Sequence, residues 1–414
     1  MNVRDKLGRI LVATILLLAA ASTVVAAEPT KTVDVDCANG ETIAKALTVG
    51  DERKPLLIVV KGTCNESVTI ARSDVKLQGD HAAGGGVAGP DPSLDTITVT
   101  SNRVTIEGLT ITGGRNGIAG NGAAGLTVRN AVVQTTGRTG IVYTFGASGL
   151  VDACTIQLNP RDGVAIEAAQ ATIVSSTVTQ NARVGVLVTN SASARIGVDN
   201  RNAAAGNTIS MNGSNGIHVS IGGSAFIAMN QITGNGTDPA GALGRVGVNV
   251  VSATADLVGG NAISGNAGQG INARSASVLI GNPNFDFTSV NTITGNGNVN
   301  APGGVFGFLG SSIVIRNAVV TGNAGFGWGL SLKSDGQLFS SSIQNNLPVG
   351  SITGDGIRLI FGSGLIVSQP NTFISGNAGF GLQCTDGESS VVNTGFLLLS
   401  GNGRGDVSAG CTGF

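Results

Sequence analysis

The sequence predicts an all-β solenoid, in which short parallel strands wind around one axis and successive coils stack on each other. Composition is the first indication: Gly accounts for 65 of the 414 residues, charged residues for 12% and aromatic residues for 4%. Short apolar runs separated by Gly and Asn are typical of short strands joined by tight turns. A single globular core is unusual at this length, whereas each repeat of a solenoid packs only on its neighbours.

A repeat with a base period of 23 residues is the second indication. An anchoring Gly that precedes an aliphatic residue recurs at steps of 22 to 34 residues. This period, lengthened by insertions, fits a coil of three short strands and three turns. The anchors are Gly117, Gly140, Gly163, Gly185, Gly216, Gly247, Gly270, Gly304, Gly327, Gly356 and Gly381, with Gly329 as an alternative to Gly327.

Two columns, meaning equivalent positions in successive coils, are the third indication. The aliphatic column is expected to form an inward ladder with rungs about 4.8 Å apart. It comprises Val133, Ile156, Val178, Ile209, Ile232, Ile263, Ile293, Val320, Ile343, Ile374 and Leu399. The turn column is Thr136, Asn159, Asn181, Asn212, Asn235, Asn266, Asn296, Asn323, Asn346, Asn377 and Asn402. Asn tolerates left-handed backbone, and stacked amides hydrogen-bond along a ladder.

A second, shorter amide column is predicted beside the first. It comprises Asn207, Asn230, Asn261 and Asn291, with Ala131, Cys154 and Ser176 at the equivalent upstream positions. Cys154 therefore occupies a column of small core residues. We interpret it as structural, with a reactive thiol as the alternative.

The repeat resembles a known family. The motif Asn-x-Ile-[Ser/Thr]-x-Asn-x-x-x-Gly-Ile, as in residues 261–271, and the Ile196-Gly and Ile280-Gly pairs carry the resemblance. They are similar to the right-handed parallel β-helix repeat proteins of the pectin-lyase-like superfamily. The resemblance runs from about residue 97 to the C-terminus and implies a three-sheet solenoid of about a dozen coils. It says little about activity, because this fold hosts lyases, hydrolases, epimerases, adhesins and passive shafts.

Three segments are predicted along the chain. Residues 1–27 read as a signal peptide: Arg4, Lys6 and Arg9 precede an apolar run too short to span a bilayer, with an uncleaved anchor helix as the alternative. Residues 28–80 are predicted to be an N-terminal cap with one short helix within residues 40–49. Residues 81–414 are predicted to be the right-handed parallel β-helix.

Cysteine usage and charge limit the possible partners and compartments. Pairing by nearness predicts disulfides Cys37–Cys64 and Cys384–Cys411, as expected of a secreted, periplasmic or cell-surface protein. No spacing suits zinc, and neither a metal nor a cofactor is predicted. The net charge of −1 gives no reason to expect nucleic acid, and no membrane span is expected after signal cleavage.

A polar patch is predicted on the outer face of the strands that begin at Gly-Ile, where enzymes of the resembled superfamily usually act. Residues two and four after each anchor face outward, which groups His218, Asn249, Asn272 and Arg274 at mid-shaft. His218 is a candidate general base and Arg274 a candidate partner for a substrate carboxylate. The alternative is an ordinary solvated sheet face. The superfamily's calcium-binding acids, paired Asp residues, Gly-His-Gly and Asp-Pro-His-Asp motifs are absent.

A column of arginines precedes the anchors by two residues. It holds Arg115, Arg138, Arg161 and Arg183, then Ser214, then Arg245. Stacked about 5 Å apart, such side chains repel, and Asp162 and Glu167 offset part of this repulsion. One interpretation is a cationic stripe that binds an anionic polysaccharide; the other is a solvated turn copied by repeat duplication.

Insertions and aromatic residues complete the predictions. Longer steps mark insertions at residues 197–206, 236–245, 282–289 and 297–303, which can wall a groove. Phe285 and Phe287 lie in one of them and either stack on sugars or pack onto the shaft. The Phe-rich later coils, including Phe306, Phe361 and Phe373, are predicted to stack internally with Trp328.

The predicted function is an exported binding or structural module that interacts with anionic polysaccharide. Its predicted ligand-binding residues are the five arginines with Asn249 and Asn272. The alternative is a polysaccharide lyase or epimerase acting on uronic-acid polymers, with its site around His218 and Arg274. The sequence does not settle whether the protein is an enzyme.

Overall fold

The structure is a computed structural model that describes residues 31–238, 244–281, 289–368, 370–395 and 397–413. The predicted signal peptide, Phe285 and Phe287 lie outside these residues. The described strands form three parallel sheets, A, B and C, and the chain visits them in that order once per coil. The all-β solenoid predicted from composition and repeat is confirmed.

Each sheet stacks one strand per coil. The strands of sheet A are Lys31–Asp36, Leu56–Asn65, Val75–Gly79, Thr105–Glu107, Ala124–Arg129, Ser148–Asp152, Gln170–Val174, Ser193–Ile196, Ser224–Ala228, Thr254–Gly259, Ser277–Ile280, Ser312–Arg316, Asp335–Phe339, Gly364–Val367 and Ser390–Asn393. The second half of Leu56–Asn65 begins sheet B, which continues with Gly85–Gly89, Thr110–Gly113, Val132–Thr136, Thr155–Gln157, Thr177–Thr179, Thr208–Ser210, Gln231–Thr233, Ala262–Ser264, Asn291–Thr294, Ala318–Thr321, Ser342–Gln344, Thr372–Ser375 and Leu397–Ser400. The strands of sheet C are Val68–Ile70, Ile97–Val99, Ile118–Asn121, Ile141–Thr144, Val164–Glu167, Val186–Thr189, Ile217–Ser220, Val248–Val251, Ile271–Arg274, Val305–Phe308, Phe326–Ser331, Asp355–Ile360, Phe380–Cys384 and Gly405–Val407.

The aliphatic column of sheet B forms the predicted inward ladder. Its members pair rung by rung, from Val133 opposite Ile156 to Ile374 opposite Leu399. All are fully buried except Leu399, which is half-buried. Burying one aliphatic side chain contributes roughly 1.5–3 kcal/mol, so this ladder is a large part of the driving force for stacking.

The asparagine column forms a continuous buried amide ladder. Asn235 is typical: its Nδ2 donates to Asn266 Oδ1 at 2.9 Å and to the Ile209 carbonyl at 3.1 Å, while its Oδ1 accepts from Asn212 Nδ2 at 3.0 Å. The ladder runs from Thr136 Oγ1 to Asn402, whose Nδ2 donates to Asp406 Oδ1 at 2.8 Å. Each amide is satisfied by the coil before it and the coil after it.

Left-handed backbone does not explain these asparagines. The left-handed residue is the one before, for example Leu158 with φ +56° and Gly265 with φ +60°, and the ladder asparagines themselves are not in that region. The prediction that Asn serves the backbone conformation of this turn is therefore wrong. The side-chain ladder is the reason for Asn at this position.

The anchoring Gly is required by the same ladder. A Cβ on Gly140 would lie 2.6 Å from Ile156 Cγ2 and 2.9 Å from Asn159 Nδ2. Gly270 has the same environment, with Ile293 Cγ2 at 2.6 Å and Asn296 Nδ2 at 2.9 Å. Such distances are shorter than van der Waals contact, so any larger residue would push the coils apart. Trp328 pairs with Val305, which makes Gly327 the anchor and not Gly329.

The second amide ladder contains Cys154 as predicted. Asn207, Asn230, Asn261 and Asn291 bond in series, and upstream Cys154 N–H donates to Ser176 Oγ at 3.1 Å. The Cys154 thiol is 2% exposed, and burial raises its pKa to about 11. A thiol that stays protonated and buried is a poor nucleophile.

The N-terminal cap is shorter than predicted. Leu56 already pairs with Val75 in sheet A, and Val68 with Ile97 in sheet C. Regular coils therefore begin near residue 56, and the predicted boundary at residue 80 is too late. Residues 56–80 lack the Asn-Gly signature because the first coils do not contribute to the amide ladder.

The cap itself combines one strand, a 3-10 turn and one short helix. Within the predicted helix segment, the α-helix comprises only Ile43–Ala46, capped by Thr42. Glu66 accepts from the N–H groups of Ile43 and Ala44 at 2.7 and 3.1 Å, which ties the helix to the first coil. Disulfides Cys37–Cys64 and Cys384–Cys411 form as predicted.

The later phenylalanines do not stack inside the shaft. Trp328 is fully buried and faces inward, as predicted. Phe306 and Phe308 lie on the outer face of sheet C, with ring centroids 5.4 Å apart, while Phe361 and Phe373 are 59% and 41% exposed. The prediction of an internal aromatic stack is therefore wrong for these residues. Phe396 lies outside the described residues.

No helix in the described part of the chain has the length and hydropathy needed to cross a lipid bilayer.

Replacing Asn266 by Ala tests the amide ladder. The change removes the two contacts that Asn266 Oδ1 accepts and the two that its Nδ2 donates, and it leaves the buried Asn235 N–H without its partner. We expect the free energy of unfolding in urea to fall by at least about 3 kcal/mol. Asn300→Ala, at an exposed position in an insertion, is the control and should change it by less than about 0.5 kcal/mol. Equal effects of the two substitutions would contradict the ladder's role.

Candidate functional site

The outer face of sheet C changes character along the shaft. Register places one outward column as Ala119, Val142, Ala165, Leu187, His218, Asn249, Asn272, Phe306, Gly329, Arg358 and Gln383. The other comprises Asn121, Thr144, Glu167, Thr189, Ser220, Val251, Arg274 and Phe308. The first column is apolar from Ala119 to Leu187, polar from His218 to Asn272 and aromatic at Phe306, whereas the second is mostly polar as far as Arg274. The outward positions predicted from the repeat are correct.

The arginine column lies along the corner between sheets B and C, as predicted, but carboxylates neutralise much of it. Arg115 donates from Nε and Nη2 to the two oxygens of Asp95, both at 3.0 Å. Arg183 makes the same bidentate contact with Asp162, and Arg161 Nε lies 3.6 Å from Asp162 Oδ2. Asp95 and Asp162 are 6% and 1% exposed, so each is a fixed buried anion under the column.

The arginines of the column still repel one another. Burial, reinforced by the neighbouring Arg183 and Arg138, lowers the pKa of Arg161. The bond to Asp95 raises the pKa of Arg115. Asp162, which was expected to offset part of the repulsion, lies against two arginines, and Asp95, which was not anticipated, binds a third.

Arg138 differs from its neighbours. It is exposed, and it makes no ion pair with any residue in the described ranges. Arg245, three coils beyond Arg161, turns away and donates to the Gly236 carbonyl at 2.9 Å. Arg138 is thus the column's available cation, held between two arginines whose own positions are fixed by carboxylates.

A groove forms beside Arg138, and we name it the N-terminal groove. It encloses about 280 Å³ over the outer face of the third to fifth strands of sheet C. Its residues are Asp95, Arg115, Asn116, Arg138, Thr139 and Arg161 on one wall, Ala119 and Val142 on the floor, and Asn121, Thr144, Phe145 and Glu167 on the other wall. A shallow apolar floor between a cationic wall and a polar wall fits a flat, hydroxylated, acidic ligand.

The mid-shaft patch forms a chain of amides that ends on His218. Asn272 Nδ2 donates to Asn249 Oδ1 at 2.8 Å, and Asn249 Nδ2 lies 3.0 Å from His218 Nδ1. An amide nitrogen only donates, so Nδ1 is the acceptor and Nε2 carries the ring proton. Burial, with a smaller contribution from Arg183, lowers the pKa of His218 to about 4. His218 is therefore neutral at neutral pH, with its basic nitrogen already engaged.

Arg274 is not brought to His218. It lies two coils beyond and two residues further along its strand, and its guanidinium packs 5.7 Å from the Phe308 ring centroid on the coil beyond that. Two rungs alone amount to about 10 Å. The structure thus joins His218, Asn249 and Asn272 and leaves Arg274 separate. A lyase or epimerase acting through His218 and Arg274 stays a prediction.

Sequence reasoning missed the corner between sheets C and A. The fifth residue after each anchor is large and apolar in five coils, and we call these residues the apolar corner: Phe145, Ile221, Leu309, Leu332 and Phe361. All five have φ between +50° and +58°, and their exposures range from 40% to 81%. The equivalent residues elsewhere are small or polar, as at Gly122 and Asn190.

The left-handed backbone of the apolar corner is unfavourable for bulky side chains, and their burial offsets little of this free-energy cost. A bulky side chain in left-handed backbone costs roughly 1–2 kcal/mol, and an exposed one recovers little of it. The apolar corner could have been found in the sequence, because the register that places the second and fourth residues after each anchor also places the fifth.

Within the described residues, no group of three or more His, Cys, Asp or Glu side chains is placed to hold a metal ion.

Comparison with known proteins bears on the fold. The family model described as "right handed beta helix region" matches residues 93–203, which include the coils that carry Arg115, Arg138 and Arg183. Together with the three parallel sheets, this match decides the fold. The chain is a right-handed parallel β-helix. The fold inferred from the repeat is confirmed.

Individual relatives are distant. No curated protein matches this β-helix chain. Among solved structures, the periplasmic alginate epimerase AlgG shares 11% identity over 91% of this chain and 84% of its own, with a TM-score of 0.44. The pectate lyase Pel9A shares 13% over 70% and 78% (TM-score 0.39), and the Dettilon tailspike protein 12% over 91% and 68% (TM-score 0.40). These values carry no argument about the activity of this chain.

The pH dependence of stability tests the environment of His218. Because the folded-state pKa lies below the ordinary value of about 6.5, the unfolded chain binds more protons between pH 6.5 and 4. Stability from the neutral ring is fully present above pH 6.5 and is lost as the pH falls, by about 3 kcal/mol near pH 4. His218→Asn should remove this part of the pH dependence in urea unfolding. Parallel pH profiles for the two proteins would contradict it.

Proposed function

We propose that this β-helix binds an acidic polysaccharide in the N-terminal groove and acts as a binding module. The single observation that carries the proposal is Arg138, an exposed guanidinium with no carboxylate partner in the described ranges, facing the exposed Phe145 across one groove. A guanidinium pairs with a carboxylate by two parallel hydrogen bonds, and an aromatic face takes the apolar face of a sugar ring. The ligand class that presents both features at once is a uronic-acid polymer.

Preorganisation supports the proposal. Arg115 and Arg161 are held by Asp95 and Asp162, so the wall beside Arg138 does not have to be ordered on binding. The floor of Ala119 and Val142 is flat, which leaves room for a ring between the walls. Asn121, Thr144 and Glu167 on the far wall supply hydrogen-bonding groups for sugar hydroxyls.

Retention on immobilised polygalacturonate tests the cationic wall. Arg138→Gln removes the available guanidinium, and we expect the affinity to fall about tenfold, which corresponds to about 1.4 kcal/mol. Arg53→Gln changes another exposed arginine, which lies in the cap; it is the matched control and should elute with the wild type. Salt should weaken retention of the wild type more than that of Arg138→Gln. If Arg138→Gln and wild type elute at the same salt concentration, the groove is not the binding site.

Phe145→Asn tests the aromatic wall and separates binding from folding. Asn is better suited than Phe to left-handed backbone, so the thermal midpoint should stay equal or rise. Retention on polygalacturonate should nevertheless weaken by roughly three- to tenfold, since stacking is worth about 0.5–1.5 kcal/mol. Leu332→Asn, at the equivalent corner far from the groove, is the control. Unchanged retention of Phe145→Asn would show that the exposed ring is not used.

Incubation with the same polymer also tests the alternative function. A lyase creates an unsaturated product that absorbs ultraviolet light, so a rise in absorbance would favour the enzyme over the binding module.

A further inference from the structure

A second cavity lies on a different side of the shaft from the N-terminal groove. It encloses about 430 Å³ against the outer face of sheet A, within the usual range for a small-molecule site. Its floor and one side are formed by residues of successive coils, namely Thr127, Ser148, Leu150, Gln170, Thr172 and Ser193. Arg195 closes one end, and Asn200 of the insertion at residues 197–206 contributes a wall.

The insertion beside this cavity has a defined structure of its own. Asp199 Oδ1 accepts from the N–H groups of Arg201 and Ala203 at 2.8 and 2.7 Å, and Val198 bridges Ala204 as a small antiparallel turn. Val198 is fully buried and packs with Ala228 and Val258 of later coils. The loop therefore has its own core and keeps its position over sheet A.

The loop also fixes the conformation of Arg195. Arg195 donates from Nε and Nη2 to the Asp199 carbonyl at 3.2 and 2.9 Å, and from Nη2 to Asn202 Oδ1 at 2.5 Å. Its flat face lies 4.7 Å from the centroid of the Phe226 ring. These contacts use the Nε–Nη2 edge, so Nη1 is the edge left for a ligand.

The charge of the cavity is positive. None of its lining residues is acidic, and Arg195 makes no ion pair within the described ranges. A fixed guanidinium without a counter-ion at the end of a cavity lined by hydroxyls and amides is the arrangement that recognises a carboxylate on a polyhydroxylated ligand.

We infer that the sheet A cavity is a second binding site, specific for a short acidic saccharide of one or two sugar units. The carboxylate binds Arg195 Nη1, and the sugar hydroxyls bind Ser148, Gln170, Thr172 and Ser193 around the apolar surface of Leu150. The Thr172 hydroxyl already bonds Asn200 Oδ1 at 3.0 Å, which links the loop wall to the floor. The inference does not depend on the N-terminal groove.

Calorimetric titration with digalacturonate tests the site, in an Arg138→Gln background that removes the proposed groove contact. We expect one binding event that weakens at least tenfold on Arg195→Gln and is unchanged by Arg201→Gln, an exposed arginine of the same loop. Ser193→Phe keeps Arg195 and fills the cavity from an exposed position, and it should abolish binding without lowering the thermal midpoint. The neutral disaccharide cellobiose should bind at least tenfold more weakly than digalacturonate.

The outcomes separate the two sites. Loss of all digalacturonate binding in Arg138→Gln overturns the sheet A site and leaves the groove intact. Digalacturonate binding that is as strong in Arg138→Gln as in the wild type, and that is lost in Arg195→Gln and Ser193→Phe, supports the sheet A site and counts against the groove. Binding unaffected by Arg195→Gln or Ser193→Phe, or equal binding of cellobiose, overturns the inference.

Discussion

The buried asparagine ladder is the constraint on which the rest of the structure depends. Each amide donates to the coil before it and to the coil after it and accepts from the coil before it, so a coil that slips out of register leaves several buried polar groups unsatisfied at once. The ladder also dictates the anchoring Gly, because the amide Nδ2 occupies the space that a Cβ would need. Asn and Gly therefore recur together, and the aliphatic rung three residues before each Asn completes a unit that fixes the position of the outward residues.

Stacking in register has a cost that shapes the candidate site. A residue type repeated at one corner is placed a few ångströms from its copies, which is unfavourable for arginine. Asp95 and Asp162 offset this by lying beneath the column, each holding a guanidinium from a neighbouring coil. Arg138 is left as an exposed cation with no ion pair among the described residues, and the preorganised neighbours hold the surface around it.

Much of this architecture could be predicted from the sequence, because a repeat converts each position into a column. The outward residues of sheet C, the inward ladder and the small-residue environment of Cys154 all follow from the anchors alone. The pairing of Asp95 with Arg115 could not be predicted, because Asp95 precedes the first clear repeat in a segment that has the composition of a loop. The direction of the later phenylalanines was misjudged from composition, although the register already placed Phe306 outward. The sheet A cavity was beyond reach, since an insertion has no copies from which its path can be deduced.

The apolar corner has a further consequence, which concerns length. Backbone hydrogen bonding sets the distance between coils at about 4.8 Å. Phe145, Ile221 and Leu309 are three coils apart in turn, so they stand at equal intervals of roughly 14 Å along the shaft. The spacing of these three residues is therefore set by the stacking of the coils. An extended polymer contacts all three residues at equivalent positions only if its own repeat divides that interval, whereas Leu332 and Phe361 follow Leu309 one coil at a time.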